Sequence, residues 1–204
     1  QKAADLYKEC IRLNPVDFHS IMGLGWVALV HDKNDTLAEK IFQFVASKNK
    51  LPDAYFKLYQ MTQGRGDKAL EKKYAEEFVA KSTDTIYGHM YNKYVIEILT
   101  GILNQPAKAE ELAKGELNNR ATPQTYAWYA YTLFVNNKHD EAYKVFQQHV
   151  SGQPLEGLEL YYMGKMLKGL DKGYDANQFF KAADKNQYDL SPGLEKDLKA
   201  NLEE

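Results

Sequence analysis

An all-α fold is what this sequence predicts, on three observations. Apolar residues recur at three- and four-residue steps, most plainly at Tyr87, Met90, Tyr91, Tyr94, Val95, Ile98, Leu99, Ile102 and Leu103, which share one stripe of a helix. No stretch sustains the period-two alternation with β-branched residues that a half-buried strand requires. Short breakers separate the stripes: Asn14-Pro15, Asp32 to Asp35, Gly64 to Asp67, Gln105-Pro106, Thr122-Pro123, Gly152 to Pro154, Asp171 to Gly173 and Ser191-Pro192. Together they predict about twelve helices of roughly 11–20 residues joined by loops of about two to five, so that consecutive helices are antiparallel neighbours.

In chain order, the first helix, within 1–15, carries Leu6, Tyr7 and Ile11. It places Cys10 at a small-residue position, read as an inert buried thiol. Helix pairs follow over 18–50, 53–81, 84–121, 123–156 and 157–190. The turn inside 53–81 contains Arg65-Gly66-Asp67, a tripeptide that integrin ligands use. Gly64 and Gly66 supply backbone freedom there and Asp67 can cap the next helix, so the segment reads as a turn. The stripe from Tyr87 to Leu103 reads as one helix near 84–104. The last element, 191–204, opens on Ser191 as N-cap and Pro192 as first helical residue. Leu194, Leu198 and Leu202 then form a narrow stripe amid charges, as expected of a helix that covers the preceding pair and faces water on its other side.

The helices repeat. The pattern of a small residue, an aromatic four later and a small or apolar residue three after that occurs as Ala3-Tyr7-Cys10, Ala38-Phe42-Val45, Ala142-Phe146-His149 and Ala176-Phe180-Ala183. The last two copies lie 34 residues apart, as do the patterns ahead of them, Tyr126-Tyr129-Ala130-Leu133 and Leu160-Met163-Gly164-Leu167. Ile21-Leu24-Gly25-Ala28 stands in the same place ahead of Ala38. Packing gives the reason: Gly25, Ala130 and Gly164 let the first helix approach its partner, while Ala38, Ala142 and Ala176 leave room for Phe42, Phe146 and Phe180.

These units resemble tetratricopeptide repeats, strongly over 123–190, well over 1–50 and more weakly over 51–122. In the weak stretch Ala69 and Ala109 stand as second-helix alanines at irregular spacing. The resemblance implies a right-handed α-solenoid superhelix of antiparallel helix pairs, spanning 1–204 as a single array, with the C-terminal helix as its cap. Gln1 is not an initiator methionine, and the chain opens on a second-helix pattern. The expectation is therefore that further N-terminal repeats of the same parent chain precede it.

The composition excludes more than it names. The chain has 204 residues, 44% hydrophobic and 26% charged, with a formal net charge of −2. That balance offers no basic excess for nucleic acid, and no apolar run approaches the roughly 18 residues of a membrane span. Neither a cofactor nor a metal is expected. His19, His31, His89, His139 and His149 have no metal-ligand spacing, and no nucleophile elbow or phosphate loop occurs. His149, at a small-residue position, reads as structural. The adjacent carboxylates Glu76-Glu77, Glu110-Glu111 and Glu203-Glu204 diverge by about 100° per residue on a helix, so they read as solvated faces. No enzymatic activity is expected. Only three arginines, Arg12, Arg65 and Arg120, stand among many lysines, which fits a bacterial source and leaves the compartment open between cytoplasm and export within a larger chain.

In the resembled family, first helices line the concave surface and ligands lie in its groove. Transferred to this sequence, the groove positions are His19, Met22, Trp26 and Leu29; Gln124, Ala127, Tyr131 and Phe134; Leu158, Tyr161, Lys165 and Lys168; with Phe56 and Gln60 from the weaker stretch. The family's carboxylate clamp for chaperone tails needs lysines and asparagines where Met22, Trp26, Ala127, Trp128 and Tyr131 stand, so that ligand is not expected. Aromatics with a polar handle suit a protein partner, a peptide or a helix. The expected function is a non-enzymatic interaction or assembly scaffold, with Trp26, Tyr131 and Tyr161 as anchors and little electrostatic attraction. Internal packing of these aromatics is the plain alternative, and a glycan-binding module using them as stacking platforms is the second functional reading.

Overall fold

The computed structural model describes residues 2–203, apart from the Tyr174 side chain. Gln1, on which the expectation of upstream repeats partly rests, and Glu204 lie outside them. The described residues form twelve α-helices, two short 3-10 helices and no strand. They divide into two compact units, one of residues 2–83 and 191–193 and one of 84–190 and 194–203.

The first unit holds α1 (Lys2–Leu13), α2 (Phe18–Val30), α3 (Asp35–Lys48), α4 (Asp53–Thr62) and α5 (Lys68–Ser82). Each packs on the next, and α2 also touches α4. Local signals fix the starts: Asp17, Asn34 and Asp67 each accept a hydrogen bond from the backbone N–H three residues on. At the α2–α3 crossing an added Cβ on Gly25 would lie 2.6 Å from the Phe42 ring. Only glycine allows that approach, and it seats Phe42 in a core with Ala28, Leu29, Ala38, Leu58 and Met61. The Arg-Gly-Asp segment is a turn: Gly64 and Gly66 have φ of +78° and +85°, Asp67 caps α5, and Arg65 pairs with Asp35 at 2.8 Å.

Two expectations in this unit need correction. Cys10 is exposed, because α1 packs through residues such as Tyr7 on α2 and buries none of its own side chains fully. Ala69 is exposed in the first turn of α5. The buried positions of α5 are Glu71, Ala75, Phe78 and Ser82, with the large residue one helical step later than in the pattern.

The second unit holds α6 (Asn92–Thr100), α7 (Pro106–Asn119), α8 (Pro123–Val135), α9 (His139–His149), α10 (Gly157–Gly169), α11 (Gly173–Lys185) and α12 (Pro192–Glu203) without its first two residues. α6 packs on α7, α7 on α8, α8 on α9 and α10 on α11; α8 also touches both α6 and α10. Gly164 meets Phe180 as Gly25 meets Phe42, its absent Cβ again 2.6 Å from the ring. Ala142, Phe146, Ala176, Phe180 and Ala183 are all buried. His149 is exposed at the end of α9 and stacks on Tyr126 at 3.9 Å. The long helix expected near 84–104 is not one helix. Asp84 caps a 3-10 turn, Thr85–Tyr87, that ends at Gly88 with φ of +53°, and α6 begins only at Asn92. Met90 is accordingly exposed, and Ile102 and Leu103 follow the end of α6 in a turn.

Candidate functional site

The fourteen residues offered as a groove separate by burial. Leu29, Phe56, Gln60, Ala127 and Tyr161 are buried, as is Leu158 beside them, and belong to the core of their own unit. His19, Met22 and Trp26 keep surface in the first unit, with the Lys57 ammonium 3.7 Å from the Trp26 ring centroid. Gln124, Tyr131, Phe134, Lys165 and Lys168 keep surface in the second. Phe134 packs on Gly169, where no Cβ would fit, and stacks on His139. Tyr131 leans on Tyr162 at 4.7 Å, and burial pushes its hydroxyl pKa up to about 12.

The C-terminal part of the set is occupied by the chain itself. Tyr161 donates to Asp197 of α12 at 2.7 Å, Lys165 pairs with the same oxygen at 3.1 Å, and Lys168 donates to Asn201 at 3.0 Å. Tyr161 is therefore closed off as a partner anchor while α12 lies on α10. Burial first, then the Asp197 bond, raises the Tyr161 pKa. Burial also opposes the Asp197 charge, but the bonds from Tyr161 and Lys165 outweigh it and hold that carboxyl below its ordinary range.

A second constellation lies where the N-terminal ends of α6, α8 and α10 meet the C-terminal turn of α7. There a cavity of about 250 Å³ is lined by Lys93, Ile96, Glu116, Arg120, Thr122, Gln124, Thr125, Trp128, Glu156 and Glu159. Helix geometry puts these groups together. Glu116 and Arg120 are one turn apart on α7; Thr122 caps α8 through Thr125; Thr125 and Trp128 share a face of α8; and Glu156 immediately precedes α10. Glu156 and Glu159 sit at the positive end of α10, where carboxylates are favoured by about 0.3–1 kcal/mol each.

Two of these carboxylates are buried, Glu159 at 1% exposure and Glu116 at 4%. Glu159 Oε1 accepts from the Trp128 indole N–H at 2.8 Å and pairs with Lys93 Nζ at 2.8 Å. Lys93 also reaches Glu156 at 3.0 Å. Burial works to lower the Lys93 pKa, but Glu159 and Glu156 more than offset it and the net shift is upward. The second oxygen of Glu159 is buried with no hydrogen-bond partner among the described residues. Glu116 is better satisfied, by Asn92 at 2.7 Å and by Arg120 at 2.8 Å, with His89 at 3.9 Å.

Of this constellation only Gln124 figured among the residues singled out from sequence. The carboxylate pairs that stand out in the sequence are chain neighbours, whereas Glu116 and Glu159 line one cavity from different helices. A signal existed for each: Glu159 stands inside the apolar run Leu158 to Met163, and Glu116 occupies the place that Val45 and Ala183 hold in other second helices. No group of three or more His, Cys, Asp and Glu side chains among the described residues could hold a metal ion. No described helix is long and apolar enough to cross a membrane. No protein-family model matches the chain, and no curated protein matches it in sequence.

Proposed function

We propose that the chain is a tetratricopeptide-type array, with the right-handed superhelical sense and capping C-terminal helix of that family. In this reading it is a non-enzymatic scaffold that holds a peptide or partner helix along its first-type helices. One observation carries it: first-type helices touch side by side, α2 with α4 in one unit and α6, α8 and α10 in the other, while each second-type helix packs behind its partner. The Gly25–Phe42 and Gly164–Phe180 interlocks support the repeat reading, since they place the same residue types at the same crossing in both units.

The surface left for a partner is smaller than the sequence promised. It consists of His19, Met22 and Trp26 in the first unit and Gln124, Phe134 and part of Tyr131 in the second, with Lys165 and Lys168 engaged by α12. Selection of peptides from a displayed random library on the intact chain tests the proposal. Selected peptides should lose about 2 kcal/mol of binding, measured by fluorescence anisotropy, on Trp26→Ala or Tyr131→Ala. Failure to select any peptide, or unchanged binding by both folded variants, overturns it.

A further inference from the structure

The cavity beside Glu159 has a chemistry of its own. Two cations and three carboxylates line it: Lys93 lies between Glu156 and Glu159, and Arg120 pairs with Glu116. One carboxylate charge is therefore left without a cation in the wall, and the N-terminal end of α10 offsets only part of it. The buried, unpartnered oxygen belongs to Glu159, the most enclosed of the three. A buried carboxylate oxygen without a donor carries a desolvation penalty that an incoming donor relieves, and a charged donor relieves it best. Volume narrows the choice further. About 250 Å³ lies below the roughly 300–1,000 Å³ of pockets for whole drug-sized molecules, and fits one side chain. A sugar ring is disfavoured because Trp128 offers no open face; it is buried, leans on Tyr162 at 5.0 Å and spends its N–H on Glu159.

We propose that this cavity is a subsite for a basic side chain of the bound peptide, whose guanidinium or ammonium group sits among Glu116, Glu156 and Glu159 and donates to Glu159 once that carboxylate turns its enclosed second oxygen toward the cavity. The carrier being a peptide rests on the scaffold reading above; the cavity's preference for a cationic donor does not.

The test follows the Trp128 indole N–H by nitrogen–proton NMR on the intact chain, assigned with Trp26→Phe, during titration with N-acetyl-arginine, N-acetyl-lysine and N-acetyl-glutamine methylamides. The arginine or lysine probe should move the Trp128 signal along a saturable curve at least tenfold tighter than the glutamine probe. Glu159→Gln, which keeps the shape of the side chain, should abolish that difference. Equal responses to all three probes, or no movement of Trp128 at tens of millimolar, overturn the proposal on the wild-type chain alone, even if the variant does not fold. The arginine and lysine arms show which cation the cavity prefers. Failure here leaves the peptide-selection result untouched, so the subsite and the scaffold reading fall separately.

Discussion

Two second-type helices of the same unit, α11 and α7, solve the same packing problem differently. On α11 the small, aromatic and small positions are Ala176, Phe180 and Ala183, all buried, and the aromatic ring closes on Gly164. On α7 the same spacing holds Ala109, Ala113 and Glu116, also buried. Without an aromatic to interlock, α7 is held partly by polar bonds, with Glu116 tied to Asn92 of α6. Glu116 also lines two hollows, the cavity beside Glu159 and a second of about 420 Å³ lined by residues of α6 and α7 with His89. The lesson is that relaxing the repeat pattern at one helix makes room for charge, and charge at a buried position is what builds a site. Phe180→Ala should break α11 most severely, at about 3–5 kcal/mol in urea unfolding, because it leaves a cavity against a glycine that cannot fill it. Leu112→Ala, at a half-buried position of α7, should cost well under half of that. Equal costs would remove the distinction between the two helices.

The polar solution is tested by a double-mutant cycle on Lys93 and Glu159. Glu159→Leu should cost about 2–4 kcal/mol, since it leaves a largely buried ammonium with only Glu156 and strips the Trp128 N–H of its acceptor. Lys93→Met made in the same chain should recover at least about 1 kcal/mol of that loss. Strictly additive costs in chemical unfolding would show that the pair does not act as a unit.

A matched pair of glycines sharpens the comparison at smaller scale, and the two should differ in sign. Gly164→Ala adds a Cβ 2.6 Å from the Phe180 ring and should destabilise by about 1–3 kcal/mol, even after the helix-propensity gain. Gly115→Ala on α7 meets nothing within 4 Å and should stabilise by up to about 1 kcal/mol. Thermal melts of the two variants against wild type give the comparison directly; a stabilised Gly164→Ala would show that the interlock is loose.

What could be read from the sequence follows the same division. Where packing depends on residue size at fixed spacing, as at Gly25, Ala38 and Phe42 or Gly164, Ala176 and Phe180, the pattern pointed to the buried residues directly. Where the pattern was extended by periodicity alone it misled. Tyr87 and Met90 keep a helical phase with Tyr91, yet Gly88 at positive φ and the Asp84 cap turn the chain before α6. Cys10 fits a small-residue position, but burial needs a second surface as well as a pattern, and α1 presents that face to solvent. The charged cavity was hidden because its members come from three first-type helices and one second-type helix, and no local spacing records which helix ends converge. Tyr161 failed as an exposed anchor for a related reason, since its partner Asp197 lies 36 residues on.

The smallest effect concerns the contact that closes α10 from its other side. Asp197 accepts from Tyr161 and pairs with Lys165, and its pKa is held below the ordinary carboxylate value. A group whose pKa is lower in the folded state adds stability above its unfolded pKa and loses it as pH falls through the folded value. With its side chain 43% exposed and Lys165 37% exposed, solvent screening limits the gain to less than about 1 kcal/mol. Asp197→Asn keeps an oxygen that can accept from Tyr161 while removing the charge. Its melting temperature should fall slightly below wild type at neutral pH, and the gap should narrow as pH falls below about 4 and close once pH passes the lowered folded pKa, where the wild-type carboxyl is neutral too. A gap that persists unchanged in acid would mean that shape, and not the ion pair with Lys165, holds α12 against α10. The α12 contact would then resemble the Phe180 interlock more than the charged cavity at α7.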